Sequence, residues 1–481
     1  MVDTDKQRIM DIVDEKKDEF IAASDHIWET PETRFTVPKS VEQHYQLLEK
    51  EGFRIQKGVG GMDYAYIATY GSGKPEIGIT GEYDALGNSS QEAGNPKRKP
   101  VVDGGPGQAC GHNLLGMGAV GAAVAIKTFM EEKGMSGTIK LFGCPAEESG
   151  YGKAFLARAG VFDGLDAVFT WHPQDVGGMV ACATLAVMQA NFSFKGIAAH
   201  ASSAPEQGRD ALDAATLMTV GVQFLREHVI EEARIHYAYL DSGGESANVV
   251  HPTAKLYFFV RAPKLSQAKD IYERVVNIAK GAALMTGTEM SIDFDSACAD
   301  YLPNHPLTEM MDKNLRLVGP LHLSDEEEKF ERALTSNNAP SIRQNVIARN
   351  KAAFPEKSDE EIKRISEAGV CPEISPIVYT TSTKGIGSTD VGDVSWCAPT
   401  AQFAYACEPQ GCSPHTWEWV ANGKSSVAHK GLINSCKILA LTIYDALTDP
   451  ELLKQAHDAW VKDLNGEHYE SVIPPETQPH G

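Results

Sequence analysis

No stretch of this chain approaches the roughly 20 consecutive apolar residues that a membrane-spanning helix needs. Cysteine is sparse: nine scattered residues, an odd number, suit a reducing compartment better than a disulfide framework. Positive charge is short as well. Lys and Arg number 44 against 65 Asp and Glu, for a formal net charge of −21. That balance argues against a nucleic-acid-binding or anionic-membrane surface. It leaves room for an anionic substrate, because bound divalent cations would set the local field. The opening MVDTDKQRIMDIVDEKKDEF lacks the charged-then-apolar pattern of a signal peptide, so the expectation is a cytoplasmic protein. There is no internal repeat and no low-complexity tract.

The 481 residues, 42% hydrophobic and 23% charged, are globular in composition and too many for one ordinary core. Apolar spacing predicts helices over 4–30 and Val41–Glu51. Strands then alternate with helices: Tyr64–Thr69 and Ile77–Gly81, a long Ala-rich buried helix Leu114–Lys133, strand Thr138–Phe142, helix Gly152–Ala159 and strand Ala167–Thr170. Such alternation implies an α/β fold with a mainly parallel sheet between helices. A second unit begins near Val187. It reads as a strand, a helix Ala211–His228, strands Ala247–Val250 and Lys255–Val260, a helix Leu265–Ala283 and a strand Glu289–Phe294. This is an inserted two-layer α/β domain over 187–299, interrupting a catalytic domain of 1–186 and 300–481. The charged stretch 323–370 reads as solvated surface helices, and the tail VIPPETQPHG as disordered.

Sites in open α/β sheets lie beyond the carboxyl ends of strands. IGITGEYD ends in Glu82 and Asp84, TIKLFGCPAEE in Glu147 and Glu148, and DAVFTWHP in His172. The loop after the first of these carries Cys110 and His112, and a late Ser-Pro-His-Thr offers His415. Each has an ordinary explanation alone. A buried Cys is a small hydrophobe, paired glutamates open helices, and His-Pro marks a turn. Their arrival on successive strands favours a hydrolytic metal site. Thiolate, imidazole and carboxylate together suit Zn²⁺, with Mn²⁺ or Co²⁺ as alternatives, and one bridging ligand permits a pair of ions. Adjacent glutamates cannot face the same way, so one can bind metal while the other takes a proton. Asp84 is either a turn residue or the acceptor that orients His112.

GEYDALG, ACGHNLLG, CPAEESG, TWHP, GIAAHASSAPEQGRDALDA and PHTWEW, in that order, resemble the aminoacylase and carboxypeptidase family of two-metal amidohydrolases. The similar branch includes auxin-conjugate and hippurate hydrolases. The resemblance implies two divalent ions per chain, Zn or Mn, held by Cys110, His112, Glu148, His172 and His415, with Cys110 bridging. It implies Glu147 as general base and His200 as oxyanion support, in many relatives across a dimer interface. Asn248 and Arg261 match positions that hold a substrate carboxylate. Read without the family, His200 is a packed histidine and Arg261 a surface cation. The implied reaction cleaves a small-molecule N-acyl or N-aroyl amino acid. Candidates are p-aminobenzoyl-glutamate, indole-3-acetyl-aspartate or a broader set of N-acyl amino acids. The implied assembly is a homodimer or a complex with a paralogous subunit, and the alternative is a non-catalytic subunit of such a complex. Two departures from the family pattern bear on the substrate: Asn113 follows Cys-Gly-His where many relatives have Asp, and Ser388-Thr389-Asp390-Val391 replaces Ser-Glu-Asp-Phe.

Overall fold

Seven strands form the central sheet of the computed structural model, which describes residues 3–336, 338–380 and 387–480. They are β1 (Arg54–Lys57), β2 (Tyr66–Ser72), β3 (Glu76–Glu82), β4 (Gly137–Cys144), β5 (Ala167–Gln174), β6 (Gly178–Met179) and β13 (Thr400–Ala406), in the order β1-β2-β4-β3-β5-β13-β6. β4, β3, β5 and β13 run parallel, and antiparallel strands close both edges. β13 is buried along its whole length, as parallel strands covered on both faces must be.

Helices α1 (Thr4–Glu29), α3 (His112–Lys133) and α14 (Ser426–Thr448) pack on one another against the sheet, beside α2 (Pro38–Lys50), α8 (His305–Val318) and α15 (Pro450–Leu464). The helix α3 is long and apolar enough to span a membrane, contrary to the absence read from the sequence. Its hydropathy has another cause, since 94% of its most apolar window is buried inside the protein. Glycine lets α3 sit directly on the strands. A Cβ on Gly116 would lie 2.4 Å from the Glu82 carbonyl oxygen, and one on Gly118 would lie 2.5 Å from the Trp171 indole nitrogen.

A second, antiparallel sheet follows the order β12-β7-β11-β9: β7 (Ala186–Lys195), β9 (Arg234–Asp241), β11 (Thr253–Ala262) and β12 (Glu289–Cys298). Helices α6 (Ala211–Leu225) and α7 (Leu265–Thr286) cover one face. The strand expected over Ala247–Val250 shrinks to β10 (Val249–Val250), which pairs only with β8 (Ala199–His200). The fourth long strand of the sheet is instead β9. It lies at the sheet edge with Ile235 its one buried residue, so it lacks the alternation that marks a half-buried strand.

Short helices complete the chain: α4 (Glu147–Gly150), α5 (Gly152–Arg158), α9 (Asp325–Leu334), α10 (Pro340–Ala353), α11 (Asp359–Glu367), α12 (Val391–Cys397) and α13 (Trp417–Asn422). α9 and α11 begin with capping boxes at Ser324 and Ser358 and acidic first turns, as solvated helices do. They are not free surface, however. Leu334, Val346, Ile362 and Ile365 are buried, and Gln410, near His415, donates to the Ile365 carbonyl at 2.7 Å. The tail is also more ordered than its composition suggests. Ile473 is buried, Arg158 donates to the carbonyls of Pro474 and Thr477, and the Tyr469 hydroxyl donates to Asp393 at 2.8 Å.

This packing can be tested at two residues. Gly116→Ala overpacks α3 against β3 and should destabilise by about 1–3 kcal/mol, read as a lower urea midpoint at unchanged m. Burial pushes the Asp393 carboxyl from 3.8 up to about 7. A raised carboxyl pKa contributes stability below the unfolded value that is lost as pH rises through the folded one. The Asp393 contribution to stability should therefore fall between pH 4 and 7, by no more than ~1.4 kcal/mol per unit. Asp393→Asn should remove that part of the slope in urea titrations at pH 5 and 7.

Candidate metal centre

Adjacent parallel strands carry their chemistry to one rim. β3 ends in Glu82 with Asp84 two residues on, β4 leads to Glu147 and Glu148, and β5 bears His172. Cys110 and His112 enter at the start of α3. Gly111 between them is left-handed (φ +72°), and a Cβ there would meet the Pro173 ring at 2.8 Å, so only glycine fits this approach to β5. His415 comes from the loop after β13. Its amide donates to the Ala109 carbonyl at 2.9 Å, which ties that loop to the Cys110 segment.

Two donor groups share Cys110. In one, the ligand atoms of Cys110, His112 and His172 lie within 4.8 Å of each other; in the other, those of Cys110, Glu148 and His415 do. A third group of the same closeness joins Glu82, His112 and Glu147. Cys110 Sγ is 3.5 Å from His172 Nε2, and Glu148 Oε1 is 3.2 Å from His415 Nε2.

The neutral tautomers suit ligation. His172 Nδ1 donates to the Pro173 carbonyl at 2.7 Å. His112 Nδ1 reaches the Asp84 carbonyl at 3.1 Å and Oδ1 at 3.2 Å. Both rings thus keep the Nε2 lone pair for the centre. The Asp84 carboxylate also accepts the amides of Glu147 (3.3 Å) and Glu148 (3.0 Å), so it ties the His112 ring to the paired glutamates.

Charge and hydrogen bonding both leave room for cations. The buried His112 Nε2, Glu82 Oε2 and Glu148 Oε1 make no well-formed hydrogen bond; His112 Nε2 and Glu82 Oε2 face each other at 3.2 Å, and Glu148 Oε1 faces His415 Nε2. Burial, then Glu82 and Glu148, pushes the Glu147 carboxyl well above the usual range. Burial and Glu148 raise the Cys110 thiol. Burial opposes a charge on His112, yet Cys110 as a thiolate, Asp84 and Glu82 outweigh it and raise its pKa, so the surroundings of Nε2 favour a positive charge, proton or metal ion. The donor set therefore fits divalent ions.

Sequence alone gave Glu82 no role, passed over Lys153, and marked Asp390 only as part of a departure. The structure joins all three. The fully buried Lys153 ammonium is 2.5 Å from Glu82 and 2.6 Å from Asp390, and its amide donates to Asp390 at 2.8 Å. The signal was present in GKAFLA, a lysine in an otherwise apolar helix.

The remaining predicted residues lie elsewhere. His200 is exposed on β8, outside the donor groups, and pairs with Val249; the Ala201 amide donates to the Asn248 carbonyl at 3.0 Å. Asn248 is exposed beside it. Arg261 is partly buried on β11, over the Phe259 ring, and its charge reaches Tyr151, next to the paired glutamates.

Residues 78–459 match the model of the peptidase family M20/M25/M40. The chain is 42% identical to a p-aminobenzoyl-glutamate hydrolase subunit of Escherichia coli, over 99% of this chain and 97% of the relative. It is 29% identical to the indole-3-acetyl-aspartic acid hydrolase of Enterobacter agglomerans, over 50% of this chain and 56% of that one. A solved Bacillus subtilis structure, described as a dinuclear metal binding peptidase from the M20 family, superposes with a TM-score of 0.52 at 17% identity, covering 89% of this chain and 98% of the other. The chain belongs to the peptidase family M20/M25/M40 and is a metal-dependent amidohydrolase.

Proposed function

We propose that this chain hydrolyses the amide between an aroyl or acyl group and the α-amino group of glutamate or aspartate, with p-aminobenzoyl-glutamate as the first candidate. The similarity to a p-aminobenzoyl-glutamate hydrolase along nearly the whole of both chains supports that substrate. The half-length similarity to an indole-3-acetyl-aspartic acid hydrolase supports the second candidate. The observation that carries the reading is the pair of donor groups hinged on Cys110 with Glu147 beside them.

Cys110, His112 and His172 would hold one divalent ion, and Cys110, Glu148 and His415 a second, both zinc or both manganese. When bound, such ions polarise an amide carbonyl and bring the pKa of a water down toward about 7. Glu147, close to His112 but outside both sets, is the general base: it takes a proton from the attacking water and passes it to the leaving nitrogen. His200 supports the oxyanion. Its Nδ1 accepts the amides of Ser202 (3.2 Å) and Ser203 (3.3 Å), which leaves the proton on Nε2, so a neutral ring is a donor there. Asn248 and Arg261 hold the substrate carboxylate, Arg261 through its planar fork.

His200 is exposed and outside the donor groups, so we assign it to the centre of a neighbouring subunit, whether a second copy or a paralogue. The exposed apolar side chains Phe224, Leu284 and Met285 on α6 and α7 support such an interface. In this reading residues 187–299 form the lid and dimerisation domain inserted in the catalytic domain. All nine cysteines are free thiols, which supports a cytoplasmic location.

A hydrolysis panel of p-aminobenzoyl-glutamate, indole-3-acetyl-aspartate, hippurate and dipeptides, run on purified chain with Zn²⁺ or Mn²⁺, tests the function. No turnover of any of them by metal-replete protein would overturn it and favour a non-catalytic subunit. Glu147→Gln should lower kcat by about 10²–10⁴ with metal content unchanged by elemental analysis. Loss of metal there would mean that the two glutamates have exchanged roles. Cys110→Ser should weaken both ions together. His200→Ala should lower kcat by about 10²–10³ with metal retained. Mixing its subunits with Glu147→Gln subunits should restore part of the turnover; no recovery would place His200 within its own chain's centre.

A further inference from the structure

The Glu147–Glu148 turn is bent in a way its own residues disfavour. Ala146 (φ 62°), Ser149 (φ 63°) and Tyr151 (φ 53°) are all left-handed without being glycine. Such residues persist only where the surroundings over-determine them. Asp84 holds the front of the turn through the two glutamate amides. The back of the turn is held by the other sheet.

Gln189 on β7 and Ser296 on β12 are cross-strand partners, and both are fully buried. Gln189 Nε2 donates to the Ser149 carbonyl at 2.6 Å, and Ser296 Oγ donates to the Gly150 carbonyl at 2.7 Å. One pair of side chains thus grips two successive carbonyls. The register of β12 against β7 shifts between Phe294 and Ser296, so Asp295 is an extra residue. Such a bulge re-aims neighbouring side chains. Asp295 is buried, accepts the Tyr257 hydroxyl, and pairs with Arg34 at 3.0 Å; Arg34 also reaches the Ser149 carbonyl at 3.4 Å. Phe192 on β7 meets Tyr272 of α7, and Gln189 alternates to the other side of the strand. The grip therefore lies on the sheet face opposite the helices.

We propose that Gln189 and Ser296 are positioning residues for hydrolysis: by holding the Ser149 and Gly150 carbonyls they set the direction of the Glu147 carboxylate, so the four-stranded sheet is a working part of the catalytic centre. The proposal rests on the assignment of Glu147 as the base. It differs from a covering role for the inserted unit. A cover acts on substrate capture, whereas this grip acts on the proton-transfer step.

The test compares Gln189→Ala, Ser296→Ala and Ser296→Thr in the full chain with saturating Zn²⁺ or Mn²⁺. Measurements are kcat, KM, metal content and Tm, with p-aminobenzoyl-glutamate or whichever panel substrate turns over. Each Ala variant should lose roughly 10–100-fold in kcat, in the range of lost outer-shell partners, with KM within about twofold and metal content unchanged. Ser296→Thr keeps the hydroxyl and should recover most of kcat. Ser296→Ala removes one oxygen, so it serves if Gln189→Ala does not fold. Combined with Glu147→Gln, either Ala change should add no further loss to the residual rate. A wild-type kcat in both Ala variants, a change confined to KM, or full additivity with Glu147→Gln would overturn the proposal. An active Glu147→Gln single variant would instead remove the base assignment, which keeps the two failures apart.

Discussion

The Asp84 carboxylate accepts from the His112 ring and from the amides of Glu147 and Glu148, and through those bonds it fixes the relation between two donor-bearing segments. Its place just past the end of β3 is what makes this possible. In the parallel register β3 lies between β4 and β5, so a side chain leaving β3 stands between the glutamates on one flank and His172 on the other. The centre therefore depends on strand order as much as on residue identity. Cys110 and His112 join because α3 approaches β3 and β5 closely at Gly116 and Gly118.

Such convergence concentrates negative charge. Glu82, Asp84, Glu147, Glu148 and Asp390 surround a centre in which Lys153 is a fully buried cation among the described residues. Isolated buried charges cost several kcal/mol each, and removing one partner of a buried ion pair typically costs about 3–5 kcal/mol. Lys153 offsets part of the burden by bridging Glu82 and Asp390. Its attraction to Asp390 and Glu82 outweighs desolvation and holds its own proton firmly. The remaining carboxylates call for positive charge of the kind that divalent cations supply, which links the local electrostatics to the need for metal. The overall charge of −21 has no direct bearing on this, because surface acids are screened within about 10 Å at ordinary ionic strength.

Much of this was legible in the primary structure. The apolar strands β3, β4 and β5 each run into acidic or imidazole side chains at one rim, so the rim emerged from position along the chain. Residues whose role depends on a distant partner were harder to read. Lys153 looks like a surface cation until Glu82 and Asp390, 71 positions before it and 237 after it, meet it in the interior. β9 escaped notice because an edge strand with one buried residue leaves no periodic trace. Glu331 lies in a charged helix that reads as solvated, yet it is fully buried, because α9 packs against the chain that leads to the His415 loop. Gln189 and Ser296 sit in ordinary strand sequence, and their effect depends on a cross-strand register that composition does not encode.

The adjacent glutamates show what the backbone contributes. On a regular helix or strand, neighbouring carboxylates diverge by a fixed angle and one of them would leave the centre. Here Ala146 is left-handed, and Glu148 takes an extended conformation (φ −69°, ψ 100°) inside what would otherwise be a helical start. Glu147 then lies with Glu82 and His112, while Glu148 lies with Cys110 and His415. His415 itself is left-handed (φ 65°). Four non-glycine residues in this conformation, at about 1–3 kcal/mol each, amount to a sizeable share of a domain's net stability. The local sequence does not favour that arrangement, so packing must impose it from both sides of the turn. Turning the carboxylates of consecutive residues toward different donor groups is therefore a property of the assembled sheets rather than of the Glu-Glu dipeptide.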